Sequence, residues 1–250
     1  MKARLPMDYD NYVFDLYGTL VDIRTDENRK ELWKSLSLFY SYYGACYEPL
    51  ELKEAYGSLV SGKEKALKMT LEEDKRYAHE ASPEIQIQEV FEELFTQKGV
   101  SCEKSLSLHA GQMFRAMSTE YVRLYDGAKE MLSYLKSQGK KVYLLSNAQQ
   151  IFTGYELRTL GILELFDDVM ISSDYNTKKP DKRFFDILVQ KHGIKVEKSI
   201  YVGNDSKNDV LGAKTVGMDT FYVFSNISPE NDRKDLADYN VSDFSEWDYK

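Results

Sequence analysis

At 250 residues, with 42% hydrophobic and 30% charged residues, the chain is long enough to bury a sizeable core, and its composition excludes wholesale disorder. Its formal net charge of −8 argues against non-specific nucleic-acid binding, which depends on Lys and Arg neutralising phosphates. No stretch approaches the ~18 apolar residues of a membrane span, and the N-terminal stretch contains no apolar targeting segment. We therefore expect a cytoplasmic protein whose partner is neither a nucleic acid nor a membrane.

The first predicted strand ends at an aspartate. The β-forming residues Tyr12, Val13 and Phe14 precede Asp15, and Gly18 follows. An apolar strand that stops on a carboxylate and turns through glycine places that carboxylate at the carboxyl end of a sheet, where open α/β sheets bind ligands. Taken alone, the stretch favours a simpler interpretation, in which Asp15 bonds to the backbone of its own turn.

Helical patterns dominate the segment from about residue 26 to residue 123. Apolar residues at three- and four-residue intervals between Leu32 and Tyr43 predict an amphipathic helix that ends at Gly44. Further helices are predicted over residues 50–60, from a start at Ser82-Pro83-Glu84, and over residues 107–121. This pattern predicts an all-helical segment inserted after the first strand.

From Tyr125 onward, predicted helices that end near a glycine are each followed by a predicted strand. The predicted helices cover residues 128–138, 151–160, 182–192 and 209–216, and the predicted strands cover residues 141–145, 169–172, 199–202 and 220–224. Such strand–helix units with short connections predict a parallel, doubly wound sheet.

The strand before Asp15 belongs to the same sheet, so the predicted core is discontinuous. We predict an α/β fold whose core, residues 1–22 and 124–250, is a doubly wound, Rossmann-like parallel sheet. Residues 23–123 form an inserted all-helical cap domain in this prediction. Nothing in the pattern indicates an oligomeric state.

Polar residues follow each of the later strands. The second strand ends at Ser146 and Asn147, Lys179 follows the third, and Asp205 follows the fourth. Each has a simpler explanation, since Ser and Asp cap helices and a surface lysine is usually solvated. Parallel strands, however, bring their carboxyl ends to one edge of the sheet. We therefore expect these side chains to meet Asp15.

This set of side chains fits nucleophilic displacement at phosphorus or carbon. Asp15 can form an acyl phosphate or an ester, the covalent route open to carboxylates. Ser146 and Lys179 can hold the anionic group and stabilise charge in the transition state. Asp205, facing Asp15, can complete a site for Mg²⁺, which takes one or two carboxylates and keeps several waters.

Four motifs, in this order along the chain, are Asp15-Leu-Tyr-Gly-Thr-Leu20, Leu145-Ser-Asn147, Lys179-Pro-Asp181 and Gly203-Asn-Asp-Ser-Lys-Asn-Asp209. With them, the chain resembles hydrolases of the haloacid dehalogenase (HAD) superfamily that carry a helical C1-type cap. The resemblance covers the whole core, whereas the cap matches only in position and helicity. It implies a nucleophilic Asp15 and catalytic roles for Ser146 and Lys179.

The resemblance also implies which residues bind the substrate and the metal. We expect Tyr17, Thr19 and Asn147 to contribute to substrate binding, with Thr19 supporting the first loop. The implied Mg²⁺ ligands are the Asp15 carboxylate, the backbone carbonyl of Tyr17 and the Asp205 carboxylate. The expected function is that of a magnesium-dependent phosphatase acting on a small phosphorylated metabolite, a phosphate ester.

The chain departs from the family's phosphatases at Tyr17. Those enzymes carry a second Asp there, which protonates the leaving group and activates water, and losing such a group typically costs ~10²–10⁴-fold in rate. A tyrosine, with an ordinary pKa of about 10, is a poor base near neutrality. The family's 2-haloacid dehalogenases do have Tyr at this position, and a halide leaves without being protonated.

The fourth motif favours the phosphatase. The dehalogenases work without metal, carry small neutral residues where this chain has Asn204 and Asp205, and usually show Tyr where it has Phe185. A retained Asp205 would repel an anionic haloacid unless a cation lies between it and Asp15. Two alternatives stay open: a metal-independent 2-haloacid dehalogenase, and a catalytically weak binding or regulatory module on the same fold. Which of Asn204, Asp205 and Asp209 contacts the metal is also open.

Overall fold

The computed structural model describes residues 6–241. Within this range the strands are β1 (Asn11–Phe14), β2 (Val21–Thr25), β3 (Thr119–Leu124), β4 (Lys141–Ser146), β5 (Asp168–Ile171), β6 (Ser199–Gly203), β7 (Asp219–Val223) and β8 (Tyr239–Val241). The helices are α1 (Lys30–Tyr42), α2 (Pro49–Glu72), α3 (Ile87–Thr96), α4 (Lys104–Ser118), α5 (Ala128–Ser137), α6 (Gln150–Thr159), α7 (Lys182–His192) and α8 (Gly212–Lys214). A π-helical turn, Ser206–Leu211, precedes α8.

Six strands form one parallel sheet in the order β5-β4-β1-β6-β7-β8. Both faces of β1 are covered, because Tyr12 and Phe14 belong to one buried apolar cluster and Val13 to another. The chain adds β4 and β5 on one side of β1 and then crosses to β6 on the other side. The ligand crevice of such a sheet lies at this switch point, beyond the carboxyl end of β1.

The predicted fold class, a doubly wound parallel sheet of Rossmann type, is confirmed. The four strands predicted after Tyr125 agree with β4 to β7 to within one residue at each end. The strand β8 was not predicted. It has three residues within the described range and pairs with β7, so it is too short to show a period-2 pattern.

The helices α1 to α4 lie between β2 and β3 and pack around a core of their own. The centre of this core is aromatic, with Tyr40, Phe91, Phe95 and Phe114 all buried. The rings of Tyr40 and Phe95 stack with centroids 4.2 Å apart. The Tyr40 hydroxyl donates to the Phe91 carbonyl at 2.9 Å, so its polar end is also satisfied inside the cluster.

The chain enters and leaves this helical segment through an antiparallel ribbon, β2 paired with β3, that was not predicted. The helix predicted over residues 107–121 ends instead at Ser118. The β-branched and aromatic residues that follow, from Thr119 onward, pair with β2 because they suit a pleated, half-buried surface. The predicted domain boundaries fall inside this ribbon, and the division into two domains stays a prediction.

The segment before α3 is extended, although the sequence predicted a helix start at Ser82. The Lys178 N–H donates to the Ser82 carbonyl at 2.9 Å, and Pro83 forms a β-bridge with Thr177. These contacts tie the segment to the loop that precedes α7. The helix therefore begins only at Ile87.

None of the helices within the described range is long and apolar enough to cross a membrane. The cytoplasmic location stays a prediction.

Candidate active site

The carboxyl ends of the parallel strands bring the predicted catalytic side chains together. Asp15 directly follows β1, Ser146 ends β4, and Lys179 lies in the loop between β5 and α7. Lys179 Nζ donates to Asp15 Oδ1 at 2.6 Å, and Ser146 Oγ donates to the same oxygen at 3.4 Å. Thr19 Oγ1 lies 3.4 Å from Asp15 Oδ2. One cation and two hydroxyl groups therefore orient the Asp15 carboxylate, a more specific arrangement than a turn aspartate bonded to its own backbone.

Lys179 joins Asp15 to a second buried carboxylate. Its Nζ also donates to Asp209 Oδ1 at 2.7 Å and to the Tyr201 hydroxyl at 2.8 Å. Burial alone would lower the pKa of the Lys179 ammonium, but the charges of Asp15 and Asp209 outweigh burial and hold that pKa above its usual value. Burial raises the pKa of the Asp209 carboxyl, and Lys179 opposes that shift. Lys179 therefore stays protonated beside Asp15.

Asn147 holds the backbone of the loop that carries Lys179. Its Nδ2 donates to the Lys179 carbonyl at 2.9 Å, and its Oδ1 accepts from the Lys179 N–H at 2.8 Å. These two bonds use both ends of the amide and fix its orientation. Asn147 also lines the cavity beside Asp15, so a role in substrate binding stays a prediction alongside this positioning role.

The first loop of the site packs closely against Asn204. Gly18 has a φ of +86°, and a Cβ added there would lie 2.7 Å from Asn204 Cγ, so a larger residue would be both strained and crowded. Thr19 Oγ1 lies 3.3 Å from Asn204 Oδ1. The fourth motif therefore contacts the loop that follows Asp15 through the neutral amide of Asn204.

Asp205 uses its carboxylate to cap the turn that follows. Its Oδ1 accepts from the N–H groups of Lys207 and Asn208, each at 2.8 Å, and its Oδ2 accepts from Asn208 Nδ2 at 2.6 Å. These are N-cap bonds, the simpler interpretation of an Asp at this point. Asp205 nevertheless lines the same cavity as Asp15.

The hydroxyl of Tyr17 is bound in a network that joins α4 to α6. It donates to Glu156 Oε2 at 2.6 Å and lies 2.9 Å from Thr153 Oγ1. Arg115 Nε donates to Glu156 Oε1 at 2.7 Å, and Arg115 Nη2 donates to the Tyr17 hydroxyl at 3.4 Å. Burial, together with the charge of Glu156, raises the pKa of the Tyr17 hydroxyl far above its usual value. Tyr17 is therefore a neutral hydrogen-bonded group and not a base.

A cavity of about 180 Å³ opens beside Asp15. Its charged lining consists of Asp15, Asp205, Asp209 and Lys179, which gives a formal charge of −2 from three carboxylates and one ammonium. The loop after β7 supplies apolar wall from Ile227 and Pro229. The cavity is smaller than the ~300–1,000 Å³ of ordinary ligand pockets, so it suits the reacting group of a small substrate.

A family model described as haloacid dehalogenase-like hydrolase matches residues 12–223. The match begins in β1, ends with β7, and includes each of the motif segments that meet at Asp15. The chain belongs to the haloacid dehalogenase-like hydrolases. The resemblance stated from the four motifs is thereby confirmed.

Several curated relatives of this HAD chain are named as phosphatases. The chain is 32% identical over 127 residues to a glyceraldehyde 3-phosphate phosphatase of Methanothermobacter thermautotrophicus, an alignment that covers 50% of this chain and 56% of that one. It is 27% identical over 210 residues to a phosphoglycolate phosphatase of Vibrio cholerae, which covers 83% of this chain and 81% of that one. The chain spans between 52% and 66% of the length of four glyceraldehyde 3-phosphate phosphatases among its relatives.

Solved structures of both dehalogenases and phosphatases share this HAD fold. A 2-haloacid dehalogenase from Pseudomonas syringae superposes with a TM-score of 0.61 at 15% identity over 95% of each chain. A HAD phosphatase from Thermococcus onnurineus superposes with a TM-score of 0.54 at 19% identity, again over 95% of each chain. At these identities the likeness shows the fold and does not separate the two reactions.

The donor set of this HAD site fits a hard divalent cation such as Mg²⁺. The excess of negative charge in the cavity attracts a cation, and Asp15 and Asp205 offer carboxylate oxygens. Within the described part of the chain, no group of three or more His, Cys, Asp or Glu side chains is arranged to hold a metal. That finding is compatible with Mg²⁺, which takes one or two carboxylates and completes its shell with water. The ligand set of Asp15, Tyr17 and Asp205 stays a prediction.

Three residues of the site escaped the sequence reasoning. Tyr201 looks like any apolar strand residue, yet its hydroxyl contacts Lys179 and donates to the Leu145 carbonyl at 2.9 Å. Arg115 and Glu156 lie on helices far apart in sequence, and helical periodicity shows a buried face without showing which polar side chains meet across it. The sequence contained one signal for them, namely that Arg115 on α4 and Glu156 on α6 are each a charged residue next to the apolar stripe of the helix.

Proposed function

We propose that this chain is a phosphatase of a small phosphorylated metabolite, acting through an aspartyl phosphate at Asp15 with Mg²⁺ as its cofactor. The observation that carries the proposal is the 2.6 Å contact between Lys179 Nζ and Asp15 Oδ1, with Ser146 on the same oxygen. A carboxylate oriented in this way beside a small cavity is set to attack an electrophile that enters it. The relatives named as phosphatases support phosphorus as that electrophile.

In the first step, a carboxylate oxygen of Asp15 attacks the phosphorus of a phosphate monoester. A new O–P bond forms, the ester O–P bond breaks, and the leaving oxygen keeps the electron pair and takes a proton. Lys179 and Ser146 donate to non-bridging phosphate oxygens as charge redistributes in the transition state. Thr19 and Asn147 hold the loops that carry these groups.

In the second step, water attacks the phosphorus of the acyl phosphate. The O–P bond to Asp15 breaks, the carboxylate is restored, and inorganic phosphate leaves. Lys179 stays protonated throughout, because the Asp209 carboxylate faces its ammonium in both steps, together with the free Asp15 carboxylate or the phosphoryl oxygens attached to it. Its charge therefore stabilises both transition states.

Asp15, Asp205 and the Tyr17 carbonyl would hold the Mg²⁺ ion. The ion, when bound, neutralises charge on the transferring phosphoryl group. The charge of the cavity supports this assignment, since Asp205 and Asp209 would otherwise repel a phosphate dianion.

The hydroxyl of Tyr17 is bound to Glu156, so proton transfer depends on solvent in this proposal. Leaving-group protonation is then the weak step, and we expect a slow enzyme. Turnover should rise steeply as the pKa of the leaving alcohol falls. A side-chain general acid would make this dependence shallow.

The test is a panel of small phosphate monoesters assayed with and without Mg²⁺, beside halide release from a 2-haloacid. Mg²⁺-dependent phosphate release that Asp15→Asn abolishes supports the proposal. Metal-independent halide release would overturn it in favour of a dehalogenase. No release of phosphate or halide, together with tight binding of a protein partner, would favour the regulatory module.

A 2-haloacid dehalogenase is the second candidate, and one observation favours it. Tyr17 leaves the site without the second carboxylate that a phosphate ester needs, whereas a halide leaves unprotonated. The charge of the cavity argues against this candidate, because Asp205 and Asp209 would repel the carboxylate of a haloacid.

A further inference from the structure

The side chain of Tyr17, two residues after Asp15, contacts residues of two helices, α4 and α6. Glu156 lies on α6, a helix whose Leu157 packs in one apolar cluster with the strands. The parallel sheet together with its flanking helices and loops is called the sheet layer below. Arg115 lies on α4, in the helical segment between β2 and β3. Both Arg115 Nη2 and the Tyr17 hydroxyl contact Glu156 Oε2, at 3.3 Å and 2.6 Å. One carboxylate is thus shared by a cation from the helical segment and a hydroxyl from the nucleophile loop.

We propose that Tyr17, Glu156 and Arg115 form a latch that positions the nucleophile loop according to where α4 sits. This inference rests on the proposed function only in taking Asp15 as the nucleophile. In this arrangement Tyr17 is a positioning residue. Where the family's phosphatases have a carboxylate that transfers protons, this chain has a side chain that links the helical segment to the nucleophile loop. The three side chains are called the latch below.

The nucleophile loop is tight enough to transmit a change at Tyr17 to its neighbours. The Leu16 carbonyl accepts from the N–H groups of Leu20 at 2.8 Å and Val21 at 2.9 Å, and the Gly18 N–H donates to the Val21 carbonyl at 2.8 Å. The Asp15 N–H is itself bound to β6. A loop closed by so many short bonds moves as a unit, so the orientation of Tyr17 and that of Asp15 are linked.

The other end of the latch lies where α4 ends and the chain enters β3. Arg115 lies one turn before the end of α4, and its carbonyl accepts from Thr119 Oγ1 at 2.7 Å, at the start of β3. Its guanidinium also lies between two rings, 5.6 Å from the centre of Tyr17 and 5.3 Å from that of Phe152. Movement of α4 relative to α6 would therefore break the ion pair and both ring contacts together.

The environment makes the latch stronger than a surface ion pair. The side chains of Arg115 and Glu156 are 18% and 12% exposed, whereas those of the Arg233–Asp235 pair are 65% and 63% exposed. Partly buried, mutually hydrogen-bonded groups couple more strongly than solvated ones. Residues in one such network typically show coupling that is worth about tenfold in an equilibrium or a rate.

The first test is a double-mutant cycle on turnover with the substrate found in the phosphatase panel. Tyr17→Phe removes only the hydroxyl, and Arg115→Met removes only the cation. We expect each to lower kcat about tenfold with KM within about twofold, and the double variant to be no slower than either. Arg115→Lys, which restores the cation, should recover part of the loss. Independent effects would multiply to about 100-fold in the double variant, and that result would overturn the proposal.

Tyr155→Phe is the matched control. Tyr155 lies on α6 beside Glu156, and its ring is exposed and faces Arg158. This substitution should leave kcat and KM unchanged. A loss equal to that of Tyr17→Phe would mean that any change on this surface slows the enzyme, and it would also overturn the latch.

A second readout does not require activity. Hydrogen exchange of the backbone amides of residues 15–20 is compared between the parent chain and Arg115→Met. The latch predicts faster exchange in this loop in the variant, although Arg115 lies in another segment, and no change in Tyr155→Phe. If the chain releases no phosphate while this exchange result holds, the proposed function fails and the latch stands. Unchanged exchange in Arg115→Met would reject the latch, whatever the chain catalyses.

Discussion

Two networks meet at the nucleophile loop, and they are built from the same kinds of group. On one side, Lys179 joins Asp209 to a tyrosine hydroxyl, that of Tyr201. On the other side, Arg115 joins Glu156 to the hydroxyl of Tyr17. Each is a cation, a carboxylate and a phenol, yet they differ in where their residues come from.

The Lys179 network comes entirely from the sheet layer, and the side chains of Lys179 and Asp209 are each 2% exposed. The latch spans the sheet layer and the helical segment and is partly open to solvent. A network within one rigid part of the fold keeps a fixed geometry. The contacts of a network that joins two segments change when one segment moves relative to the other. This difference is consistent with the proposed catalytic role of the first network and the proposed positioning role of the second.

The largest effect should come from removing the group that both networks serve. Asp15→Asn keeps the size of the side chain but removes the nucleophile, so phosphate release should fall by about 10⁴-fold or more. Steady-state assays with the best ester of the panel measure it. Asp8→Asn, at an exposed position, is the control and should retain full activity. Substantial residual turnover in Asp15→Asn would mean that another residue attacks the substrate.

Asp209→Asn tests the network within the sheet layer. Asp209 Oδ1 accepts from Lys179, and Oδ2 accepts from the Asn204 and Asp205 N–H groups. The amide nitrogen of an asparagine cannot replace one of these acceptors, and buried donors without a partner cost stability, so we expect the free energy of unfolding to fall by about 3 kcal/mol. Urea unfolding measures the change. Asp235→Asn breaks the exposed Arg233–Asp235 pair and should change stability by less than about 0.5 kcal/mol. Equal effects of the two variants would remove the distinction between a buried network and a surface pair.

Tyr17→Asp tests the other network and the missing acid/base together. A carboxylate at this position should gain about 10²-fold through proton transfer, while loss of the latch costs about tenfold, so a net gain of about tenfold in kcat is expected for esters of poor leaving groups. Tyr17→Asn is the matched control and should show only the loss. If Tyr17→Asp shows no gain over Tyr17→Asn, another group already performs the proton transfer.

The smallest expected effect is on the pH dependence of stability, and it comes from Asp167, which pairs with Lys136 and Lys141 outside both networks. Burial alone would raise the pKa of the Asp167 carboxyl, but Lys136, the Val142 N–H and Lys141 lower it to about 2. Because the pKa of Asp167 is lower in the folded chain than its ordinary value near 4, the ionised carboxylate stabilises the fold above about pH 4. This contribution is lost as the pH falls from about 4 toward 2. Asp167→Asn should therefore flatten the fall of stability between pH 4 and pH 2, by about 1 kcal/mol. An unchanged slope would show that this contribution is negligible.

The positions of Lys179 and Asp15 could be predicted because each follows a strand, whereas Tyr201, which lies inside β6, and the contact between Lys179 and Asp209 were not predicted. Parallel topology carries Asp15, Ser146, Lys179 and Asp209 to one edge wherever the intervening helices lie. Sequence order and periodicity are then sufficient. Strand order does not determine the direction of each side chain. Asp205 caps its own turn, while its neighbour Asn204 packs on Gly18.

The latch and the ribbon could not be predicted in this way. Arg115 and Glu156 meet because α4 and α6 pack at one particular rotation, and helical periodicity does not determine which polar residues at the edge of the buried face come together. The ribbon β2–β3 has short strands separated by almost a hundred residues, so no hairpin signal marks it. Contacts between segments distant in sequence depend on packing that a local pattern does not contain.

A phosphoryl group attached to Asp15 is the intermediate on which the proposed reaction depends. Rapid acid quenching after mixing with p-nitrophenyl phosphate and Mg²⁺, followed by peptide mass spectrometry, measures it. This leaving group needs little protonation, whereas the second step lacks a side-chain base, so the acyl phosphate should accumulate. We predict one phosphoryl group on the peptide that contains Asp15, and none in Asp15→Asn. Phosphate release with no adduct on Asp15, or an adduct on another residue, would contradict the account.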